Sequence, residues 1–172
     1  SYLGGEGYDE GYALADDGVG GVWVTGSTSS YNFPLQNAYQ SSYGGDGDAF
    51  VSHFSSSGTL LSSTYLGGGR GYDGGYNDYR YHDSGTALAS DGAGGVWVMG
   101  RTKSSDFPIL SSYQGSYGNI FVAHLSSSGT LLSSTRLSGE DNSGTTLASD
   151  GSGGVWAMGE TKYVDFPILN AY

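Results

Sequence analysis

The segment that decides the fold occurs three times in the chain. It reads GYALADDGVGGVWVTGSTSSYNFPLQNAYQ at residues 11–40, GTALASDGAGGVWVMGRTKSSDFPILSSYQ at 85–114 and GTTLASDGSGGVWAMGETKYVDFPILNAY at 144–172. A second block follows the first two copies, as FVSHFSSSGTLLSSTYLGG at 50–68 and FVAHLSSSGTLLSSTRLSG at 121–139. Such self-similarity is typical of propellers, solenoids and other arrays of one structural unit.

Each repeat predicts four short strands, A to D, joined by tight turns. The A–B connections are DDGVGG, SDGAGG and SDGSGG, and both C–D connections are SSSGT. Aspartate and glycine at these places favour hairpin turns. Four-stranded antiparallel units that repeat along a chain are typical of β-propeller blades. The expected strands are Tyr12–Asp16, Thr86–Ser90 and Thr145–Ser149 for A; Gly21–Ser27 and the copies starting at Gly95 and Gly154 for B; Ala49–Ser55 and Ile120–Ser126 for C; and Thr59–Leu66 and Thr130–Leu137 for D.

Composition narrows the class of protein. The 172 residues include 32 glycines, and 14% of the residues are aromatic. Glycine is a poor helix former, and this many aromatic residues argue against disorder, so an all-β fold remains. The net charge of −11 disfavours binding to nucleic acid or to an anionic lipid surface. The chain has no cysteine for disulfides, and no apolar run approaches the ~18 residues of a membrane-inserted span.

The repeats predict a single β-propeller-repeat region over residues 1–172. We expect complete blades at about 11–66 and 85–137 and a partial blade at 144–172, with residues 1–5 as the last strand of a preceding blade. A propeller ring has ~4–8 blades, so this number does not close one. Because open sheet edges pair with other strands, the expected partners are further repeats of the same chain or identical copies.

The repeat resembles the bacterial β-propeller repeat that is often called seven-bladed. The likeness rests on GYALADDGVGGVWVTGSTSS, the Phe-Pro that follows, and GGDGDAFVSHFSSSGTLLSSTYLGG. Members of that family read much like G-I-A-V-D-x-x-G-N-V-Y-V-T-G-x-T-x-S-x-D-F-P, then G-D-A-F-V-A-K-L and Y-S-T-Y-L-G-G. This chain departs from the pattern at the turn Asn, here Gly21, Gly95 and Gly154, and at the Lys of strand C, here His53 and His124. The resemblance implies a secreted or cell-surface bacterial protein without defined catalytic residues.

One tryptophan of each repeat occupies the same place in strand B, at Trp23, Trp97 and Trp156. These side chains are either platforms for stacking sugars or packing groups between neighbouring blades. Their position among apolar strand residues favours packing. His53 and His124 occupy equivalent places in strand C and are not clustered, which favours a structural role over a metal site.

The most unusual segment is a tyrosine-rich insertion at 69–84, GRGYDGGYNDYRYHDS. Tyrosine gives a large contact area at low entropic cost, and such loops are typical of binding surfaces; a tolerated surface insertion is the alternative reading. Strand order places the insertion at the same end of the blades as the B–C loops with their Phe-Pro pairs. The candidate binding residues are Tyr72, Tyr76, Tyr79, Arg80, Tyr81 and His82.

Acidic residues give a weaker candidate, a calcium site. Asp46, Asp48 and Asp141 lie in acidic, glycine-containing stretches, but no segment matches the D-x-[DN]-x-[DN]-G calcium loop. Aspartate as a turn former is the alternative reading. We expect no other cofactor, and the sequence contains no G-x-S-x-G, H-E-x-x-H or P-loop motif.

The sequence favours a non-catalytic, extracellular structural or adhesive β-propeller module. Such a module is either part of a larger surface protein or the unit of a self-assembling fibre. A carbohydrate-binding, lectin-like propeller is the alternative. A polysaccharide-degrading enzyme is a third hypothesis, because catalytic carboxylates pair in space and not in sequence.

Overall fold

The computed structural model describes residues 2–69, 82–111, 118–137 and 143–160. Within these ranges the chain forms ten strands, and none of it forms a helix long and apolar enough to cross a membrane. The strands are β1 (Asp9–Asp16), β2 (Val22–Thr28), β3 (Asp48–Phe54), β4 (Leu60–Leu66), β5 (Ser84–Ser90), β6 (Val96–Arg101), β7 (Ile120–Leu125), β8 (Leu131–Leu137), β9 (Ser143–Ser149) and β10 (Val155–Glu160).

Three antiparallel sheets follow one another along the chain. The first has the strand order β1-β2-β3-β4, the second has the order β5-β6-β7-β8, and the third pairs β9 with β10. Neighbours in sequence are neighbours in each sheet: tight turns join the first strand to the second and the third to the fourth, and the longer B–C loop joins the second to the third. The predicted all-β class with four-stranded antiparallel blades is confirmed, and the described sheets do not close into a ring.

The predicted strands form, but several of them begin at a different residue from the one expected from the sequence. Strands β1 and β5 start two or three residues earlier than expected, because a bulge after Gly11 and after Gly85 lets the pairing continue past the glycine. Residues 2–5 form no strand, which differs from the last strand of a preceding blade expected at 1–5. A strand needs a neighbouring backbone to bond; here the Gly5 amide donates instead to the Asp9 carboxylate, at 2.7 Å.

Successive sheets pack against each other through their first strands. Strand β5 packs against β1 and β2, and β9 packs against β5 and β6. We call the contact between the first and second sheets the first junction and the contact between the second and third sheets the second junction. The first junction contains an apolar core that includes Trp23, Val51 and Val98, and the second contains a smaller cluster that includes Met99 and Leu147.

The B–C loops cover the outer strand of each complete blade. Gln36 and Gln40 form bridges to β4, and Leu110 forms a bridge to β8. These bridges satisfy backbone groups that an outer strand would otherwise leave open to pairing with other chains. The outer edges of the two complete blades are therefore protected by the same loops that carry the Phe-Pro pairs.

Candidate functional site

The first junction contains a network of one aspartate, one histidine and one tryptophan. Strands β2 and β3 pair with Trp23 opposite His53, and the two rings stack with their centroids 4.1 Å apart. The His53 Nε2 lies 2.8 Å from Asp17 Oδ2. The other oxygen of Asp17 accepts hydrogen bonds from the amides of Val19 and Gly21, at 2.9 and 2.8 Å. The aspartate of the A–B turn therefore holds both the turn and the histidine of strand C.

This network reaches across the junction to the next blade. The Trp23 Nε1 donates to the Gly94 carbonyl at 3.1 Å, and the His53 Nδ1 lies 3.3 Å from the Ser127 carbonyl oxygen. Gly94 belongs to the A–B turn of the second blade, and Ser127 belongs to its C–D turn. Side chains of one blade thus contact main-chain acceptors of the next.

The second blade repeats the network with nearly the same dimensions. Trp97 stacks on His124 with centroids 4.2 Å apart, and His124 Nε2 lies 2.9 Å from Asp91 Oδ2. The Trp97 Nε1 donates to the Gly153 carbonyl in the A–B turn of the third sheet, at 3.0 Å. Two independent copies show that the network is a property of the repeat.

Hydrogen bonding sets the charge of the turn aspartates. The hydrogen bond with His53, followed by that from the Val19 amide, lowers the pKa of Asp17 from its ordinary value of 3.8. Burial acts to raise the pKa of Asp91, but the hydrogen bonds with His124 and the turn amides outweigh it, and the pKa is lowered. Both aspartates are therefore carboxylates at neutral pH, which is the form that accepts hydrogen bonds from the turn.

An aspartate–histidine pair is also the core of many catalytic sites, but this one has no place for a substrate. His53 is only 4% exposed. One ring face is covered by Trp23, and both ring nitrogens already face oxygen acceptors. A general base needs a free nitrogen within hydrogen-bond reach of the proton that it removes. The geometry of His53 supports packing and not proton transfer.

The exposed fraction of the three tryptophan side chains increases along the chain. Trp23 is fully buried, which confirms the predicted packing role, and Trp97 is half-buried at the second junction. Trp156 is 72% exposed among the described residues, and its packing against a neighbouring blade stays a prediction. Within the described residues β10 pairs only with β9, whereas Trp23 and Trp97 each lie beside a histidine of the neighbouring strand.

A second recurring site lies at the opposite end of the blades, where strand D connects to the next strand A. The Asp83 carboxylate accepts hydrogen bonds from the Gly68 amide at 2.7 Å and from the Ser104 hydroxyl at 2.9 Å. In the first blade the Asp9 carboxylate binds the Gly5 amide and the Ser30 hydroxyl, at 2.7 and 2.9 Å. In both copies this site joins a Leu-Gly-Gly segment, at 3–5 or 66–68, to the start of strand A and to the B–C loop.

A further carboxylate is buried beside Asp83 at the first junction. Asp48 Oδ2 accepts hydrogen bonds from the Gly44 amide at 2.8 Å and the Gln40 side chain at 3.2 Å. Its Oδ1 is buried and has no hydrogen-bond partner among the described residues. A Cβ placed on Gly67 would lie 2.5 Å from Asp48 Oδ1 and 2.7 Å from Asp83 Oδ2. The two carboxylates therefore both lie close to Gly67.

The proximity and burial of these groups change their protonation. Burial raises the pKa of Asp48 to about 7, and the charges of Asp83 and Asp106 add to this effect. Burial also raises the pKa of Asp83 to about 6, although hydrogen bonds from Thr102 and others, together with the charge of Arg136, oppose the rise. The pair is therefore partly protonated near neutral pH.

Arg136 occupies the place in the second blade that Tyr65 has in the first. The Tyr65 hydroxyl donates to the Ser30 carbonyl at 2.7 Å. Arg136 donates from Nη1 to the Ser104 carbonyl at 2.8 Å and from Nε to the Gly118 carbonyl at 2.7 Å. Both side chains are buried and hold the B–C loop against strand D, and the arginine adds a positive charge close to Asp83.

The predicted binding and calcium residues are placed only in part. Tyr72, Tyr76, Tyr79, Arg80, Tyr81 and Asp141 lie outside the described residues. Asp46 is exposed, in a turn with φ of 58°, whereas Asp48 is buried. No group of three or more histidine or acidic side chains in the described ranges is arranged to hold a metal ion. Calcium binding at Asp46 and Asp48 stays a prediction.

His82 is exposed and lines an open depression of about 450 Å³ at the start of the first blade. The depression is also lined by Tyr8, Tyr12 and Glu10. Tyr8 is 89% exposed, and the Tyr12 hydroxyl donates to the Glu10 carboxylate. The depression thus offers aromatic rings, a carboxylate and an imidazole to solvent, and sequence reasoning had identified only His82 among these residues.

Comparison with protein families agrees with the fold. Residues 1–34 match the beta-propeller repeat family. The matched range contains Asp9, Asp17, Trp23 and Ser30, so it spans parts of both recurring sites. No curated protein matches the chain.

Proposed function

We propose that this beta-propeller-repeat chain is a non-catalytic structural module whose recurring polar side chains hold successive blades together. The observation that carries the proposal is the Asp17–His53–Trp23 network, in which Asp17 holds its turn and His53, while Trp23 and His53 contact the next blade. Elsewhere such a pair performs acid–base chemistry; here it is covered. Its copy in the second blade follows the same geometry.

The setting that we propose is extracellular, either secreted or on a cell surface, in a structural or adhesive role. The net charge of −11 supports this setting, since an acidic surface stays soluble and repels nucleic acid and anionic lipid. The partners that we propose are further blades of the same repeat. They come from the same chain, as in a larger surface protein, or from copies of it, as in a fibre.

The experiment compares stability with ligand binding and turnover. We expect Asp17→Asn and His53→Gln to lower the melting temperature, because the first replaces the charged acceptor of the His53 hydrogen bond and the second removes the ring that stacks on Trp23. The control is Asp16→Asn, an adjacent exposed aspartate whose amide analogue still accepts the hydrogen bond from the Gly18 amide. The same proteins are then incubated with polysaccharides and applied to a glycan array. Turnover that disappears in the Asp17 or His53 variants, without loss of stability, would contradict the proposal.

A second candidate function, carbohydrate binding, is favoured by the depression beside His82. Exposed tyrosine rings with a nearby carboxylate can stack on sugar faces and bind their hydroxyls. Tyr8→Ala is the test, with Tyr2→Ala as the control, because Tyr2 is 90% exposed and does not line the depression. Glycan binding that is lost only with Tyr8 would make this chain a lectin-like module. Cleavage of the glycan would place it among polysaccharide-degrading enzymes.

A further inference from the structure

The two carboxylates beside Gly67 come from the two blades that meet at the first junction. Asp48 begins β3 of the first blade, and Asp83 directly precedes β5 of the second. Both residues are fully buried. Asp48 Oδ1 and Asp83 Oδ2 lie 2.5 and 2.7 Å from the position that a Cβ on Gly67 would take. The first junction therefore encloses two acidic groups within reach of one small ligand.

Asp48 Oδ1 lies beside other acceptors and lacks a donor. It is buried and has no hydrogen-bond partner among the described residues. Apart from the Asp83 carboxylate, the Gly68 carbonyl is close, because its oxygen and Asp48 Oδ1 lie 2.7 and 3.0 Å from the position of a Cβ on Gly44. A buried charged oxygen is costly unless it is paired, hydrogen-bonded or bound to a metal ion. A cation supplies what these acceptors lack.

The neighbouring charges leave this part of the junction negative. Asp106 lies at its edge, where the Asp106 Oδ1 accepts a hydrogen bond from the Gly69 amide at 3.1 Å. Arg136 supplies one positive charge close to Asp83. In their ionised forms, three carboxyl groups thus stand against one guanidinium group. The balance of charge favours a further cation.

The second junction has amide residues at both positions of the pair. Asn119 is the counterpart of Asp48, and Asn142 is the counterpart of Asp83. A side-chain amide both donates and accepts hydrogen bonds, whereas an ionised carboxyl group only accepts them. Two amides therefore need no ion between them, and two carboxylates do. The two positions differ together between the junctions, as expected if the acidic pair has a ligand of its own.

We propose that Asp48 and Asp83 bind one Ca²⁺ ion between the first and second blades. Carboxylate and main-chain carbonyl oxygens are the ligands that Ca²⁺ prefers, and its flexible coordination accepts ligands from separate segments. An ion with Ca–O distances of ~2.3–2.6 Å spans two oxygens up to about 5 Å apart, which is the greatest separation that their distances from the Gly67 position allow. Mg²⁺ fits a fully buried pair less well, because it keeps several waters. When no cation is bound, a proton on Asp48 satisfies the same oxygen.

The test compares calcium binding by the full chain and by variants, all dialysed first against EDTA. Asp48→Asn and Asp83→Asn each remove one charged ligand and keep the shape of the side chain, and the double variant reproduces the residues of the second junction. Far-UV circular dichroism checks that the variants fold. Asp9→Asn is the matched control, because Asp9 is the counterpart of Asp83 in the first blade and accepts the equivalent hydrogen bonds. Asp46→Asn tests whether the ion lies instead in the exposed turn before β3.

Isothermal titration calorimetry measures affinity and stoichiometry, and melting curves with ~10 mM CaCl2 measure stabilisation. NaCl of equal ionic strength corrects for screening of the net charge of −11. We expect one ion per chain with a Kd of ~10⁻⁴–10⁻³ M, as in extracellular calcium modules. The melting temperature should rise by roughly 3–10 °C beyond that in NaCl. Asp48→Asn and Asp83→Asn should each weaken binding by about 10-fold or more, the double variant should show no calcium-specific shift, and Asp9→Asn and Asp46→Asn should bind as the unmodified chain does.

Several results would overturn the inference. An unmodified chain without a calcium-specific shift contradicts it, as does a shift that Asp48→Asn or Asp83→Asn leaves unchanged. Binding that is lost with Asp46→Asn and kept with Asp83→Asn would place the ion in the exposed turn. A larger shift with MgCl2 than with CaCl2 contradicts the choice of ion. All these outcomes leave the structural function standing, since that proposal is tested at Asp17 and His53.

Discussion

Asp48→Asn is expected to stabilise the protein at neutral and alkaline pH. Burial and neighbouring charges raise the pKa of Asp48 to about 7 from an ordinary value of 3.8, so the folded chain holds a proton that the unfolded chain releases. The contribution of this carboxyl to the free energy of unfolding is then most favourable below about pH 4 and is lost as the pH rises to about 7. A shift of about 3 pH units corresponds to an upper bound of ~4 kcal/mol.

The amide removes this dependence without changing the shape of the side chain. It still accepts the hydrogen bond from the Gly44 amide and places an NH2 group where Asp48 Oδ1 now faces Asp83. The chain supplies a precedent, because Asn119 stands at the equivalent position in the second blade. We expect the variant to match the unmodified protein near pH 4 and to exceed its stability by about 2–4 kcal/mol near pH 8.

Urea unfolding, followed by circular dichroism from about pH 4 to about pH 8.5, measures the effect. Asp46→Asn is the control, because it makes the same change two residues away on an exposed carboxyl. The difference in the free energy of unfolding between each variant and the unmodified protein, taken at each pH, isolates the effect of one carboxyl from that of all other titrating groups. The reasoning is refuted if the Asp48→Asn difference is independent of pH, or if this variant is the less stable protein at about pH 8.

Three further predictions concern the junctions. Trp23→Ala should lower the free energy of unfolding by ~3–5 kcal/mol, whereas Trp156→Ala should lower it by under ~1 kcal/mol, because only the Trp23 ring is buried. Urea unfolding that shows similar losses for the two variants would contradict this prediction. Gly85→Ala should cost ~1–3 kcal/mol by crowding the first junction, and Gly11→Ala should change the melting temperature little. Arg136→Met should cost ~3 kcal/mol or more at neutral pH and less in acid, where the neighbouring buried aspartate is protonated. If Arg136→Met lowers the free energy of unfolding equally at both pH values, Arg136 does not stabilise the charged form of Asp83.

The blades could be predicted from the sequence because their signals are local. Turn residues such as DDGVGG specify hairpins by themselves, and the repetition of these turns fixes the number of strands. The bulges at Gly11 and Gly85 were missed, since a glycine at a strand start also fits a turn.

The polar sites were harder to predict because they depend on strand register and on packing between blades. His53 was recognised only as an equivalent of His124; its contact with Asp17 exists because β2 and β3 place it beside Trp23. Asp48 belongs to the first blade and Asp83 lies near the end of the insertion that precedes the second, so no local pattern links them. Arg136 stands where the first repeat has Tyr65, and no local pattern predicts that an arginine there is buried.

The junction networks also bear on how such a chain gains and loses repeats. The hydrogen bonds that reach the next blade from the tryptophans of both described junctions, and from His53 at the first junction, go to main-chain carbonyl oxygens. Every amino acid supplies a main-chain carbonyl, so the receiving blade needs the right turn shape and no particular side chain there. Unequal recombination that duplicates, deletes or exchanges a whole repeat therefore leaves a working contact behind it. Repeats can then diverge independently, as Arg136 has from Tyr65, while the array stays in register.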